Sequence, residues 1–207
     1  MRRIGIMGGT FNPIHVGHLM LAEWALDELG LNQVWFIPTG DSYMKNSCEI
    51  LPGLERLHMT RLAIQDNPNF RCLDIEVERE GYTYSYETME QLKNSYPDDM
   101  FYFIVGADCL FAIESWRNPE RILQNCVLGA ALREDADPGK MLEQKRHLEE
   151  VYCLPEGKIC LLPFFNMPVS STLVRQRIRK GQSVRYLVPS EVILYIEEKG
   201  FYREKSI

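Results

Sequence analysis

The 207-residue sequence is short of several things, and each absence removes a class of function. Its six cysteines (Cys48, Cys72, Cys109, Cys126, Cys153 and Cys160) form no Cys-x-x-Cys pair, and its four histidines do not fall at zinc-finger spacing. A structural zinc site is therefore not expected, and the cysteines read as reduced, buried thiols. No apolar run approaches the ~20 residues a membrane-spanning helix needs. Positive charge is not in excess: 23 Lys and Arg stand against 29 Asp and Glu, a net charge of -6. That balance argues against a general nucleic-acid binder, whose affinity comes from a basic face that releases counterions. A small anionic ligand remains open if positive charge is gathered locally. Internal repeats, low-complexity tracts and linker-like stretches are all missing. Met1-Arg2-Arg3-Ile4 runs straight into an apolar segment, which leaves no room for a secretory leader, so a cytoplasmic protein is expected.

What is present is ordinary globular composition, 45% hydrophobic and 25% charged, in a length that suits one domain over 1–207. Strand and helix patterns alternate. Strands are predicted at Arg3–Met7, Gln33–Ile37, about 70–77, Phe101–Val105, about 126–132 and Ile159–Leu162. Helices are predicted near 17–29, 53–66, 85–95, 138–151, 171–180 and 189–198, with Gly181 and Gly200 as stop signals. Apolar strands alternating with helices imply an α/β fold: a doubly wound, Rossmann-like parallel sheet with helices on both faces and further helices at the C-terminus. Ligands in such sheets sit beyond the carboxyl ends of the strands, where strand order reverses.

The most informative run is Gly8-Gly9-Thr10-Phe11-Asn12-Pro13-Ile14-His15-Val16-Gly17-His18, which sets two glycines and two histidines between the first strand and the first helix. Glycines allow close approach of an anion, and the first amides of a helix point at it. His15 and His18, three apart, fall on one face of the first turn and both have donors to offer a phosphate chain. A second cluster, Ser170-Ser171-Thr172-Leu173-Val174-Arg175, combines an N-cap signal with an arginine one turn into the helix. It reads either as a capped helix with a solvated basic face or as a polyphosphate site, and the two readings are compatible.

These two runs resemble the nucleotidyltransferases with the His-x-Gly-His signature, and most of all their bacterial nicotinate-mononucleotide adenylyltransferase branch. The resemblance extends to Glu55-Arg56-Leu57-His58-Met59, Gly81-Tyr82-Thr83-Tyr84-Ser85-Tyr86-Glu87-Thr88-Met89, Phe103-Ile104-Val105-Gly106-Ala107-Asp108, Trp116 and Arg185-Tyr186-Leu187-Val188-Pro189. It implies transfer of AMP from ATP to nicotinate mononucleotide, giving deamido-NAD and pyrophosphate in NAD biosynthesis. A mononucleotide phosphate is already ionised near neutral pH, so the chemistry asks for charge stabilisation and in-line positioning rather than a general base. His15, His18, Arg175 and Lys45 are the expected catalytic donors. Gly8, Gly9, Thr10, Phe11, Asn12, Gly17, Gly106, Asp108, Ser171 and Thr172 join His18 and Arg175 in the expected ATP site, with the Asp108 carboxylate suited to ribose hydroxyls. Thr39, Lys45, Thr83, Tyr84, Ser85, Trp116 and Arg117 form the expected mononucleotide site. There the indole stacks on the pyridine ring, amides near Ser85 meet the ring carboxylate, and Arg117 adds positive charge. No carboxylate cluster suggests a dedicated metal cage, so Mg2+ is expected to arrive on ATP.

Four positions depart from the family's commoner pattern: Asn12 for aspartate, Tyr43-Met44-Lys45 for a Pro-Pro-His-Lys-like stretch, Ser85 for threonine, and Arg117 where tyrosine is frequent. None removes a catalytic donor. The charged stretch Glu134–Lys158 carries no functional reading beyond a solvated helix. Competing readings are a sister transferase using nicotinamide mononucleotide or another phosphate acceptor, and a nucleotide sensor without turnover. The chain is too short for the tRNA-binding domain of a class I synthetase. A monomer or a homo-oligomer fits equally, with small-molecule partners rather than nucleic acid or membrane.

Overall fold

Six short strands align in parallel, the central ones buried on both faces by the helices between them and the edge strand Phe70–Cys72 only partly covered. The computed structural model describes residues 1–42, 50–132, 137–163 and 168–203. The main sheet contains β1 (Arg3–Gly9), β2 (Gln33–Pro38), β4 (Phe70–Cys72), β6 (Met100–Gly106), β7 (Val127–Ala131) and β8 (Ile159–Leu162). They are ordered β4-β2-β1-β6-β7-β8 and all pair in parallel. Beside the sheet, β3 (Asp41–Ser42) and β5 (Tyr82–Thr83) form a two-stranded parallel pair. Strand order reverses between β1 and β6, so the switch-point crevice opens at Gly9 and Gly106.

Alternation along each strand separates two cores. Ile4 and Ile6 of β1, Trp35 and Ile37 of β2 and Phe101, Phe103 and Val105 of β6 face one way. They pack against α3 (Ser85–Ser95), α4 (Ala107–Ala112), α5 (Pro119–Asn125) and α6 (Pro138–Val151). Met7, Val34, Phe36, Tyr102 and Ile104 face the other way. Their cover is α1 (Val16–Glu28), α2 (Gly53–Ile64), α7 (Ser171–Arg179) and α8 (Ser190–Lys199).

The doubly wound α/β architecture is as expected, and three local readings are corrected. The strand expected over 70–77 ends at Cys72: Leu73 N–H makes a last ladder bond to Phe36 O, and the chain then turns, with Glu78 N–H bonded to Asp74 O. The stretch 107–125, for which no helix was predicted, holds α4, a 3-10 turn (Ile113–Ser115) and α5, each too short to show helical periodicity. Helix α6 is not simply solvated, since Met141 and Leu148 are buried under it. Nor are the thiols uniformly buried: Cys126 is, but Cys153 is exposed, and Cys48 lies outside the described residues.

Phe36, fully buried between β2's neighbours and α2, tests the packing. Phe36→Ala should lower the unfolding free energy by about 3–5 kcal/mol, read as a lower denaturant midpoint with an unchanged slope.

Candidate active site

The site is built where β1 ends. A Cβ on Gly9 would come within 2.9 Å of the Phe11 ring, so only glycine lets the chain double back over that side chain. Phe11 itself has a positive φ of 47°, a conformation that costs a non-glycine residue roughly 1 kcal/mol or more. Its ring, 2% exposed, meets the His18 ring edge-on at 5.0 Å and the Phe36 ring at 5.9 Å, and this packing holds the turn. The Asn12–Pro13 peptide that follows is cis.

Helix α1 starts one residue ahead of the expected position, with His15 as its extended N-cap. The His15 N–H donates to His18 Nδ1 at 3.2 Å, so the proton of a neutral His18 resides on Nε2. The two imidazoles stack with ring centroids 3.7 Å apart. Burial drives the His15 pKa down to about 4, which leaves the ring neutral at neutral pH and able to donate through one nitrogen only. Gly17 is required by contact: a Cβ there would come within 2.9 Å of Val169 and 3.1 Å of His15 Nδ1.

Helix α7 is braced onto this loop. Ser170 caps it by accepting from Leu173 N–H at 3.1 Å, as the capping signal implied. Ser171 Oγ donates to Pro13 O at 2.8 Å, and Arg175 Nη1 donates to Asn12 O at 2.9 Å, with Thr172 Oγ1 beside Nη2 at 3.4 Å. The N-termini of α1 and α7 are thus brought together over the Asn12–His15 turn, with two sets of first-turn amides and the Arg175 cation at one place. Asn12 is 3% exposed, and its side-chain oxygen accepts from Leu51 N–H at 3.2 Å and from Tyr202 OH at 2.8 Å. Its side chain therefore serves the loop's architecture.

A cavity of about 480 Å3 opens on the other side of the β1 terminus. All of Thr39, Thr83, Tyr84, Ser85, Trp116 and Arg117 line it. Gly8, Gly9, Thr10 and Asp108 line it too, so the β1 terminus is a wall shared with the histidine cluster. Ser85 is the first residue of α3, whose N-terminus faces this space, and Trp116 rests edge-on against Phe103 at 6.2 Å. Phe11, Asn12, His15, Gly17, His18, Ser171, Thr172 and Arg175 are grouped away from the cavity lining. Gly106 closes β6 as the N-cap of α4, and Lys45 lies outside the described residues.

Two residues that sequence reasoning left without a role stand out. Arg56, 2% exposed, donates Nε to Leu51 O at 2.9 Å, Nη1 to Thr10 O at 2.7 Å and Nη2 to Thr39 O at 2.6 Å, tying the β1 and β2 ends to the start of α2. Its signal was an arginine on the apolar stripe that Met59 and Ala63 continue. Glu76 is 7% exposed on the cavity wall. Burial raises its pKa, while bonds from Thr88 (2.7 Å), Thr83 and the Gly40 N–H oppose that shift. No periodicity marks such a residue.

The cytidylyltransferase-like family pattern matches residues 6–177, and a protein of Lachnoclostridium phytofermentans named probable nicotinate-nucleotide adenylyltransferase is 44% identical over 98% of this chain and 100% of its own. The chain belongs to this family, in its nicotinate-nucleotide adenylyltransferase branch. A relative of the same name from Geobacillus thermodenitrificans is 40% identical over 100% of this chain and 88% of its own. The nicotinic acid mononucleotide adenylyltransferase of Plasmodium falciparum, solved with NaAD, shares the fold at a TM-score of 0.76 with 21% identity, covering 98% of both chains.

Two predictions follow from the histidine cluster of this adenylyltransferase. His18→Ala should still fold, with a lower melting temperature because the Phe11 contact and the His15 N–H acceptor are lost, and should lose about 10² to 10³ in kcat, the scale of one lost transition-state donor, in a steady-state turnover assay run well below that melting temperature. His15 binds its proton more weakly folded than unfolded, so stability should fall as pH drops from 6.5 toward about 4. The loss reaches roughly 3 kcal/mol, and His15→Asn should flatten that stretch of the pH–stability curve.

Proposed function

We propose that the two compartments on either side of the β1 terminus hold the two substrates of one in-line displacement. The enzyme transfers AMP from ATP to nicotinate mononucleotide, giving deamido-NAD and pyrophosphate. The observation that carries this reading is the shared wall, Gly8–Thr10, between the cavity lined by Trp116 and Ser85 and the donor cluster of His15, His18 and Arg175. A mononucleotide whose ring fills the cavity brings its phosphate to that wall, where the α-phosphorus of ATP has to be.

In this reading the acceptor phosphate attacks without a general base, because it is already an anion. Negative charge builds on the non-bridging α-oxygens and on the departing pyrophosphate. Donors fixed in advance stabilise it: neutral His15 through one N–H, His18 through Nε2, the first-turn amides of α1 and α7, and Arg175, with Lys45, outside the described residues, as a further expected donor. Thr172 brings a hydroxyl to the same phosphates, Ser171, whose O–H is committed to Pro13 O, holds the loop for them, and Asp108 with Gly106 meets the ATP ribose. Trp116 stacks on the pyridine ring, and the α3 amides at Ser85 donate to its carboxylate. Mg2+ carried on the ATP phosphates would supply charge neutralisation there. It needs few protein ligands there, which suits a site where Asp108 is the carboxylate at the β6 end.

We further place the enzyme in the cytoplasm, as a monomer or homo-oligomer acting on small molecules; among the described residues no helix is long and apolar enough to cross a membrane. One observation favours a second acceptor, nicotinamide mononucleotide: Glu76 and Asp108 both line the cavity, and a neutral carboxamide meets no repulsion from them. Pyrophosphate release from Mg-ATP, with the two mononucleotides compared side by side, decides. The expected result is kcat/KM higher for nicotinate mononucleotide by about ten-fold or more, and release with neither would overturn the reading.

A further inference from the structure

The cavity has an unusual charge balance for a site that takes an anionic ring. Its acidic lining residues are Glu76 and Asp108, and among the described residues its one cationic lining residue is Arg117. Arg117 follows Trp116 in the turn between the 3-10 turn and α5, where Asn118 adopts a left-handed φ of 50°. Its guanidinium carbon lies 5.1 Å from the Tyr84 ring centroid, and Nη1 reaches Tyr84 OH at 3.5 Å. Among the described residues no carboxylate pairs with it. The neighbouring Arg121 contrasts sharply: it also stacks on a tyrosine, Tyr86, at 4.3 Å, but is neutralised by Glu90 at 2.5 Å.

Tyr84 is the N-cap of α3 and Ser85 its first residue, so the unneutralised guanidinium is parked on the residue that precedes the ring-carboxylate amides. Stacking fixes the plane of the fork and leaves N–H edges for a second, planar partner. A carboxylate at the start of α3 would then meet helix amides on one side and a preorganised cation on the other. A carboxamide would gain little from that cation and would have to orient its NH2 away from it. Glu76 and Asp108 oppose a ring carboxylate in the same cavity, which makes a counter-cation the more necessary; Glu76 has the Arg79 charge behind it, Arg79 donating to Thr88 at 3.3 Å.

Building on the adenylyltransferase reading, we infer that Arg117 is a specificity-determining residue, the side chain that selects an acidic over an amidated pyridine mononucleotide in this chain.

The test is steady-state pyrophosphate release with nicotinate and nicotinamide mononucleotide for wild type, Arg117→Met and Arg117→Lys, at low and high salt. Arg117→Met keeps an unbranched stem over Tyr84 and removes the charge. It should reduce kcat/KM for the acid about ten-fold more than for the amide, mostly through KM, the scale of one charge-assisted contact at a half-open site. Arg117→Lys should restore part of the preference, since it keeps the charge without the fork. Added salt should erode the wild-type preference more than that of Arg117→Met, because the cation is exposed. An unchanged acid-to-amide ratio in both variants overturns the inference. So does an equal loss on both substrates, which would mark Arg117 as a shaper of the cavity. If wild type releases pyrophosphate with neither mononucleotide, the adenylyltransferase reading fails instead; Arg117→Lys, with thermal melting and the KM for ATP as checks, answers for Arg117 should the Met variant not fold.

Discussion

The guanidinium of Arg56, sealed from solvent and bonded to the carbonyls of Leu51, Thr10 and Thr39, is the constraint on which the rest of the site depends. Thr10 belongs to the loop that leads to the histidines, and Thr39 to the wall of the cavity lined by Ser85 and Trp116. Both loops leave the sheet from adjacent strands, whose ladder ends with Thr39 N–H donating to Gly9 O at 2.9 Å. Beyond that bond a planar cation with five donors holds the two loops and the start of α2 together, since each N–H has to find an acceptor once buried. The Thr39 carbonyl turned toward Arg56 leaves the next peptide N–H, that of Gly40, for the Glu76 carboxylate. A buried cation and a buried acid thereby close opposite ends of one peptide link.

Around that frame the molecule divides its labour. On one side the first turns of α1 and α7 bring backbone amides, two stacked imidazoles and Arg175 to the Asn12–His15 turn. On the other lies a largely apolar chamber with Trp116 and the N-terminus of α3. Burial keeps His15 neutral, so in the proposed mechanism the cluster would act by directed N–H dipoles with one fixed guanidinium nearby. Dipoles fixed in advance cost nothing to reorganise when charge moves from an attacking phosphate to a leaving pyrophosphate.

Much of this was legible without coordinates. The glycine-rich run and the Ser170–Arg175 cluster are local devices, in which a turn, a cap and a first helical turn place their own groups. The structure braces the second run onto the first as a direct consequence. The cavity set from Thr39 to Arg117 came from resemblance, and all of its described members line one space. Arg56 and Glu76 were different. Each has a partner remote in the chain, Thr10 for Arg56 and Thr88 for Glu76, and a charged residue on an apolar stripe or in a turn looks the same whether it is solvated or sealed.

The sequence by itself determined the parallel α/β architecture, the glycine- and histidine-bearing junction after β1 and the capped α7, because periodicity, glycine placement and capping act over a few residues. Only the tertiary structure decided which groups share a wall, which are stripped of water and which charges go unneutralised. Those properties depend on distances between residues far apart in the chain, as between Arg56 and Thr10, Asn12 and Arg175, or Tyr84 and Arg117, and on burial, which exists only once both faces of the sheet are covered.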